Sequence, residues 1–178
     1  MGFLTNKTAI ITGAGRAVLS DGRCGSIGYG IATAYAKEGA NLVITGRNVQ
    51  KLTDAKEELE RLYGIQVLPV QADVNAGADN AAVVEHVVKE AVDAFGDIHV
   101  LINNAQASAS GVTLADHTTE QFDLAIYSGL YATFHYMKAC YPYLKRHRVL
   151  SSTLPPVPVC SATSVSALTP LPRRAFAV

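Results

Sequence analysis

The residues with the clearest chemical potential are closely spaced glycines near the amino terminus. Gly13-Ala14-Gly15 follows the β-branched apolar run Lys7–Thr12, and Gly25-Ser26-Ile27-Gly28-Tyr29-Gly30 leads into the helical pattern of residues 31–39. Glycines allow a tight turn and expose backbone N–H groups, and the amino end of a helix adds its positive dipole end. A strand, a glycine-rich turn and a helix in this order predict a site for the phosphates of a nucleotide.

Arg47 offers a second kind of chemistry, the recognition of an extra phosphate. It follows the second apolar run, where NAD-specific folds tend to place an acid that binds the ribose 2′-hydroxyl. An arginine at this point pairs with a 2′-phosphate instead. The sequence therefore predicts a preference for NADP(H), with Arg16 of the first turn as a second positive contact. The alternative is that Arg47 is a solvated surface arginine.

These residues must be positioned by strands and helices that alternate along the chain. The four short apolar runs that predict buried strands are Lys7–Thr12, Asn41–Thr45, Ile65–Val70 and Ile98–Asn104. Glycines at 39, 64 and 96 end the helices between them. This order predicts an α/β fold, a Rossmann-type doubly wound parallel sheet with about four strands.

The apolar spacing also predicts which face of each helix is buried. A final helix is expected over residues 119–145, which is longer than the others. The predicted inward residues are Leu52, Ala55, Leu59 and Leu62 in the second helix, Val84, Val87, Val88, Ala91, Val92 and Phe95 in the third, and Phe122, Ile126, Leu130, Thr133 and Met137 in the last.

Length and composition fit one globular domain. The 178 residues carry 15 basic and 15 acidic side chains, so no charge imbalance favours a nucleic acid or an anionic membrane surface. No apolar run approaches the roughly 20 residues of a membrane span, and the amino terminus lacks the features of a signal peptide. Cys24, Cys140 and Cys160 have no metal-ligand spacing, which predicts reduced thiols in a cytoplasmic protein. The scattered histidines are interpreted as surface or packing residues rather than metal ligands.

Four local signals together resemble the short-chain dehydrogenase/reductase family. Thr12-Gly13, Arg47, Asp73-Val74 and Asn103-Asn104-Ala105 each follow one of the predicted strands, and the resemblance covers residues 1–145. It implies that Asp73 binds the adenine amino group and Val74 supplies a backbone N–H. It also implies that Asn104 and Ala105 lie under the adenosine ribose and stabilise the central strand. Intact relatives are expected to be homo-oligomers that act on a small-molecule substrate. The implied cofactor-binding residues are Gly13, Arg16, Ser26, Ile27, Gly28, Arg47, Asp73, Val74, Asn104 and Ala105.

Within that family, three longer segments are similar to bacterial NADP-dependent 12α-hydroxysteroid dehydrogenases, which act on bile acids. These segments are SIGYGIATAYAKEGANLVITGRN, LINNAQASASG and YSGLYATFHYMKACYPYLK. Three departures from the family pattern accompany the resemblance. Ser26 replaces the usual second glycine after extra residues in the first turn, Gln106 replaces the glycine after Asn-Asn-Ala, and Gly129 stands where the family places an asparagine that supports a water in the proton relay.

The largest departure is the absence of the family's catalytic serine and Tyr-x-x-x-Lys motif from their expected places. Tyr141 and Lys145 satisfy the motif by count, but they precede the expected fifth strand, so no residue is assigned a catalytic role. Of the seven prolines, five lie from Pro155 onward, and none of the 14 glycines follows Lys145. The prolines at 155, 156 and 158 argue against a central strand. We therefore expect a dinucleotide-binding domain over residues 1–145 and an irregular tail over 146–178.

Two classes of function remain open for such a chain. The first is an oxidoreductase sequence, truncated and inactive here, that transfers hydride between NADP(H) and a secondary alcohol or ketone such as a hydroxysteroid. The alternative is a non-catalytic nucleotide-binding or dimerising fragment.

The tail also permits a frame interpretation. When the third base of each codon is joined to the first two of the next, Leu168-Thr169 permits a tyrosine codon and Pro172-Arg173 a lysine codon. The spacing between them is that of the family motif, downstream of a permitted serine. This pattern predicts a one-base insertion or deletion between roughly Leu144 and Val149. A chance coincidence or a genuinely divergent tail is the alternative.

Overall fold

The computed structural model describes residues 2–75, 77–147 and 152–153 as a parallel sheet between two layers of helices. The strands are β1 Thr8–Thr12, β2 Asn41–Gly46, β3 Val67–Gln71, β4 Val100–Asn103 and β5 Ser152–Thr153. The α-helices are α1 Ile27–Lys37, α2 Val49–Tyr63, α3 Asn80–Phe95, α4 Thr119–Ala125 and α5 Ala132–His147. Short 3-10 turns cover Gly77–Asp79 and Leu114–Asp116, and a π-helical segment, Ile126–Tyr131, joins α4 to α5.

The strand order is β3-β2-β1-β4-β5, and every pair is parallel. This confirms the predicted α/β class and doubly wound sheet, with four strands of four to six residues. The two-residue β5 pairs with Ile102 and Asn103 of β4 and was not expected from the sequence. Helix α5 runs to His147, two residues past the predicted domain limit. The tail prolines lie outside the described residues.

Alternate residues of the central strands face opposite helical layers. Ala9 and Ile11 of β1 belong to the core against α1 and α2, whereas Ile10 belongs to the core against α3 and α5. All three are fully buried. Because both faces are covered, the strands are continuous apolar runs without the polar alternation of a half-exposed sheet. The predicted helix faces of α2 and α3 are largely confirmed, except that Leu62 is half exposed.

The prediction for the last helix was confirmed for Thr133, which is buried, and for Met137, which packs against the core, but it was wrong for two other residues. A continuous helix over 119–145 was expected to turn Phe122, Ile126 and Leu130 inward, yet Phe122 and Leu130 are 47% and 39% exposed. The π-helical segment is the physical reason, because its wider turns rotate the flanking faces relative to a regular α-helix. The residues buried along this stretch are Ala125, Ser128, Ala132, Thr133, Tyr136, Cys140 and Leu144. Aromatic side chains on the exposed face of this stretch hide the spacing of the buried residues in the sequence.

No helix in the described ranges is long and apolar enough to cross a membrane.

Glycines allow α1 to approach the end of β1 very closely. Gly13 has a φ of +70°, which side-chain-bearing residues rarely adopt. A β-carbon on Gly28 would lie 2.2 Å from the carbonyl oxygen of Gly13 and 2.6 Å from Nδ2 of Asn104. By contrast, a β-carbon on Gly30 would lie 3.4 Å from Sγ of Cys24, an ordinary contact. Only the first of these two helical glycines is therefore required by packing.

Gly28→Ala and Gly30→Ala form a matched pair that tests this packing. We expect Gly28→Ala to lower the free energy of unfolding by more than about 2 kcal/mol, because an overpacked backbone contact must shift. Gly30→Ala should be neutral or stabilising by up to about 1 kcal/mol, because alanine favours the helix. Thermal and urea unfolding of the whole chain measure both. Equal effects of the two substitutions would contradict the packing.

Tyr136 is the largest fully buried side chain of the described core. Its hydroxyl and the neighbouring Thr45 hydroxyl make no hydrogen bond of normal geometry within the described part of the chain. Burial raises the pKa of Tyr136, more than the nearby Thr45 hydroxyl lowers it. The aromatic ring, rather than the hydroxyl, therefore carries its contribution to stability.

Tyr136→Phe tests the role of the hydroxyl. Because an unpaired buried hydroxyl contributes little to stability, we expect the free energy of unfolding to change by less than about 1 kcal/mol. Tyr136→Ala should instead cost about 3–5 kcal/mol, since it leaves a cavity. Urea unfolding compares the two variants. A loss of more than about 2 kcal/mol in the phenylalanine variant would show that the hydroxyl is paired.

Candidate cofactor-binding site

The predicted site residues gather at the carboxyl edge of the sheet. Gly13 follows β1, Arg47 follows β2, Asp73 follows β3 and Asn104 follows β4. Strand β1 lies between β2 and β4, so the chain reverses its direction of winding there. Ligands of open α/β sheets bind in the crevice outside the carboxyl ends of the strands at this kind of switch point. The fold therefore brings these four signals, distant in sequence, to one edge.

The amino end of α1 faces this crevice. Ser26 caps the helix, and its Oγ accepts a hydrogen bond from the backbone N–H of Tyr29 at 3.4 Å. Ile27 is the first helical residue and is 55% exposed. Because the first N–H groups of a helix have no intrahelical acceptor, this end is suited to an anion. Serine keeps the capping role although it replaces the expected glycine.

The extra residues of the first turn form a small hairpin. Val18 and Cys24 make an antiparallel bridge, and the Leu19 N–H donates to the Arg23 carbonyl at 2.8 Å. Gly22, with a φ of +81°, makes the turn after Asp21. Val18 and Leu19 are exposed. The extra residues that the sequence showed in the first turn are thus folded as a hairpin.

Asn104 joins the ends of the two central strands. Its Nδ2 donates to the carbonyl oxygen of Thr12 at 2.9 Å, and its backbone N–H donates to Thr12 Oγ1 at 2.9 Å. The Ala105 N–H donates to the same Thr12 oxygen at 2.9 Å. These bonds fit the expectation that Asn104 stabilises the central strand. The contact of Asn104 and Ala105 with a ribose stays a prediction.

Arg47 lies at the start of α2 with an exposed side chain. The helix is capped by Asn48, whose Oδ1 accepts the Lys51 N–H at 3.0 Å, and Gln71 Nε2 donates to the Arg47 carbonyl at 3.1 Å. The Arg47 guanidinium makes no ion pair with any residue in the described ranges. Lys51, in the first turn of α2, is also exposed and was missed by sequence reasoning, because a helical lysine carries no distinguishing pattern. Two cations therefore flank the amino end of α2.

Arg16 lies in the first turn, as the sequence indicated, and its contact with a 2′-phosphate stays a prediction. Its backbone N–H donates to the Lys51 carbonyl at 2.7 Å, but its side chain turns to Glu58 of α2, with Nε 2.5 Å from Oε2. The Tyr29 hydroxyl donates to the other Glu58 oxygen at 2.6 Å. The Tyr29 bond, followed by Arg16, holds the pKa of Glu58 below its usual range against the opposing effect of burial. Neither Glu58 nor Tyr29 was singled out from the sequence, since their pairing depends on how α1 packs on α2.

Asp73 makes a local turn at the end of β3. Its Oδ1 accepts the Asn75 N–H at 2.9 Å, and the side chain is exposed. Val74 is half-buried and packs against the α3 side of the core. The second carboxylate oxygen makes no hydrogen bond within the residues that the structure describes. Binding of adenine by Asp73 and Val74 remains a prediction.

Gln106 and Gly129, two of the three departures from the family pattern, lie next to each other. A β-carbon on Gly129 would lie 3.3 Å from Nε2 of Gln106, so the bare glycine backbone leaves room for the glutamine side chain. The neighbouring Ser128 is fully buried, and its Oγ accepts the Ala107 N–H at 2.9 Å and donates to the Leu124 carbonyl at 2.6 Å. The loop after β4 is therefore fixed to the π-helical segment. Ser128 was missed because a serine in a helix gives no sequence signal.

Tyr141 and Lys145 lie away from this edge. The Lys145 ammonium is 5.8 Å from the centre of the Tyr141 ring. Gly129 lies beside Gln106, shortly after the carboxyl end of β4. At 1.5 Å per residue, Lys145 is roughly 24 Å further along the helical stretch. The helix end beyond it contacts Asp97, which precedes β4. This placement supports assigning the pair no catalytic role.

Asp97, His99 and His147 cluster at the opposite, amino edge of the sheet, with possible ligand atoms within 4.8 Å of one another. His147 Nε2 lies 2.8 Å from Asp97 Oδ2. His99 Nδ1 accepts the Thr8 N–H at 3.1 Å, which places the ring proton on Nε2 and leaves no free lone pair for a metal. The cluster is a hydrogen-bonded contact between α5 and the sheet.

Known proteins resemble this chain in sequence and in fold. The chain is 62% identical to the 12alpha-hydroxysteroid dehydrogenase of Clostridium sp. over 145 residues, covering 82% of this chain and 53% of that protein. The alcohol dehydrogenase of Thermococcus sibiricus, solved with 5-hydroxy-NADP, aligns with a TM-score of 0.72 at 31% identity, covering 83% of this chain and 57% of that one. A short chain dehydrogenase/reductase from Burkholderia phymatum, in complex with NAD, aligns with a TM-score of 0.70 at 25% identity, covering 86% and 49%.

The chain thus spans about half the length of the hydroxysteroid dehydrogenase that it matches. A sequence profile described as short chain dehydrogenase matches residues 7–150, which include every strand and helix up to the end of α5. The glycine turn, the capped α1 and the Asn104 junction all lie within this matched region. On this evidence the chain belongs to the short chain dehydrogenase family.

Proposed function

We propose that this chain is the cofactor-binding part of an oxidoreductase that transfers hydride between NADP(H) and a secondary alcohol or ketone, a hydroxysteroid of the bile-acid type. The observation that carries the proposal is the convergence of Gly13, Ser26, Arg47 and Asn104 on the carboxyl edge of the sheet. The substrate class rests on the 62% identity to the clostridial 12alpha-hydroxysteroid dehydrogenase.

Each residue has a role that its chemistry supports. The N–H groups at Gly13 and at the amino end of α1, from Ser26 to Gly28, bind the pyrophosphate. Asp73 and the Val74 N–H bind adenine, and Asn104 and Ala105 support the adenosine ribose. Arg47 binds the 2′-phosphate, helped by the dipole of α2. The nicotinamide of the bound cofactor supplies the hydride chemistry itself.

We do not propose that the chain alone catalyses this reaction. A carbonyl reduction needs a general acid, typically worth about 10²–10⁴-fold. It also needs a group that polarises the carbonyl, typically worth about 10²–10³-fold. In the described residues, the Tyr141–Lys145 pair lies at the wrong end of α5 for either task. The second candidate function is therefore a nucleotide-binding fragment without turnover.

Arg47→Asp tests the cofactor assignment. We expect it to reduce the ratio of NADPH to NADH affinity by roughly 10- to 100-fold, because a hydrogen-bonded charge pair contributes about 1.5–3 kcal/mol and the new carboxylate repels phosphate. Titration of the whole chain, followed by nicotinamide fluorescence, gives both affinities. Arg61→Asp, which makes the same charge change in the last turn of α2, is the control. An unchanged ratio in the Arg47 variant would refute the role of Arg47.

Binding and turnover of the whole chain test whether catalytic groups are missing, and the gene sequence separates the two candidate functions. We expect the 178-residue chain to bind NADPH but to show no NADP-dependent oxidation of a 12α-hydroxysteroid above background, since the catalytic groups are missing. We also propose that the gene, read one base earlier from the codons between Leu144 and Val149, encodes the serine, tyrosine and lysine of an active relative. The family match supports this by ending at residue 150 although the chain continues.

Nucleotide sequencing tests the frame directly. Codons incompatible with a tyrosine at the Leu168-Thr169 junction and a lysine at Pro172-Arg173 would refute it. If the codons agree and the restored protein oxidises no hydroxysteroid, the frame stands and the substrate class is wrong. Robust turnover by the 178-residue chain would contradict the assignment of no catalytic residue.

A further inference from the structure

Glu58 makes two strong contacts that no proposed cofactor role explains. One carboxylate oxygen accepts from Arg16 Nε at 2.5 Å and the other from the Tyr29 hydroxyl at 2.6 Å. The Glu58 side chain is 25% exposed and that of Arg16 is 36% exposed, so solvent reaches both partners. The three side chains join the glycine-rich turn, α1 and α2 beside the candidate site.

The position of Glu58 along α2 determines where the Arg16 charge lies. The backbone of Arg16 lies beside Lys51, and the Arg16 N–H donates to the Lys51 carbonyl at 2.7 Å. Glu58 is seven residues further along the helix, which is about 10 Å at 1.5 Å per residue. The Arg16 side chain therefore points along α2 toward Glu58. It points away from the amino end of the helix, where Arg47 and Lys51 are exposed.

We propose that Glu58 is a specificity-determining residue that withholds Arg16 from the 2′-phosphate and thereby limits the preference for NADPH over NADH. The inference rests on the proposed binding of NADP(H) at this edge. Its physical basis is competition, because a guanidinium paired with Glu58 could not at the same time bind a phosphate held at the amino end of α2, about 10 Å back along the helix. Recognition of the 2′-phosphate is then left to Arg47, Lys51 and the amino end of α2.

The test measures NADPH and NADH affinities of the whole chain in five variants and the unmodified protein. The variants are Glu58→Ala, Arg16→Ala, the double substitution Glu58→Ala/Arg16→Ala, Tyr29→Phe and Glu57→Ala. Glu57 is the matched control, because it is exposed on the same helix and its loss changes the net charge equally. Tyr29→Phe removes the other hydrogen bond to Glu58 and leaves the ion pair with Arg16.

Glu58→Ala should raise NADPH affinity about two- to fivefold, the range of one exposed charge pair, and leave NADH affinity unchanged. Arg16→Ala alone should change neither affinity, and the double substitution should abolish the gain. Glu57→Ala and Tyr29→Phe should leave the ratio of the two affinities as it is. The gain should shrink in high salt, which screens exposed charges.

Two outcomes would overturn the inference. A fall in NADPH affinity in Glu58→Ala would show that Glu58 presents Arg16 to the phosphate, and an equal change for both cofactors would show a purely structural role. Thermal unfolding of each variant separates a loss of fold from a loss of binding. If the unmodified chain binds neither cofactor, the proposed function itself fails, and this inference fails with it.

Discussion

The close approach of α1 to the end of β1 is the constraint on which the rest of the site depends. Gly28 lies so near the Gly13 carbonyl that no side chain fits between helix and strand. Asn104 then occupies the carbonyl oxygens of Thr12 and Gly13 and fastens β4 to β1. These contacts set the capped end of α1 at the switch point of the sheet, where its unpaired N–H groups can meet an anion.

The charged side chains of α2 are a second constraint on the site. The helix begins with Asn48 as its cap and exposes Arg47 and Lys51 at its amino end, while Glu58 engages Arg16 two turns further along. The same helix thus presents a positive end to the crevice and a negative side chain to the glycine-rich turn. Under the proposed function, selectivity between two dinucleotides that differ by one phosphate would depend on this distribution, because both would share the remaining contacts.

The described residues form a sheet that is covered on both faces, within the region that the family profile matches. Both faces of β1 and β2 are buried, and the loop after β4 is fixed by Ser128 and by the fit of Gln106 over Gly129. The Tyr141–Lys145 pair, which has the family's spacing, lies toward the opposite edge of the sheet.

The sequence by itself determined the elements and their order. Continuous apolar runs specify buried parallel strands, glycines mark where helices end, and Gly13, Arg47, Asp73 and Asn104 each follow a strand. From such a pattern the doubly wound sheet and the edge that carries the site could be predicted, because parallel strands joined by helices have few permitted topologies.

Only the tertiary structure decided the contacts between elements. The π-helical segment turned Phe122 and Leu130 outward and Tyr136 inward, which a regular helical period cannot anticipate. The pairing of Arg16 with Glu58, and of Gln106 with Gly129, joins residues that lie 42 and 23 positions apart in the chain. Local patterns report how each segment folds, whereas the partner of a charged or polar side chain is set by which helices the sheet brings together.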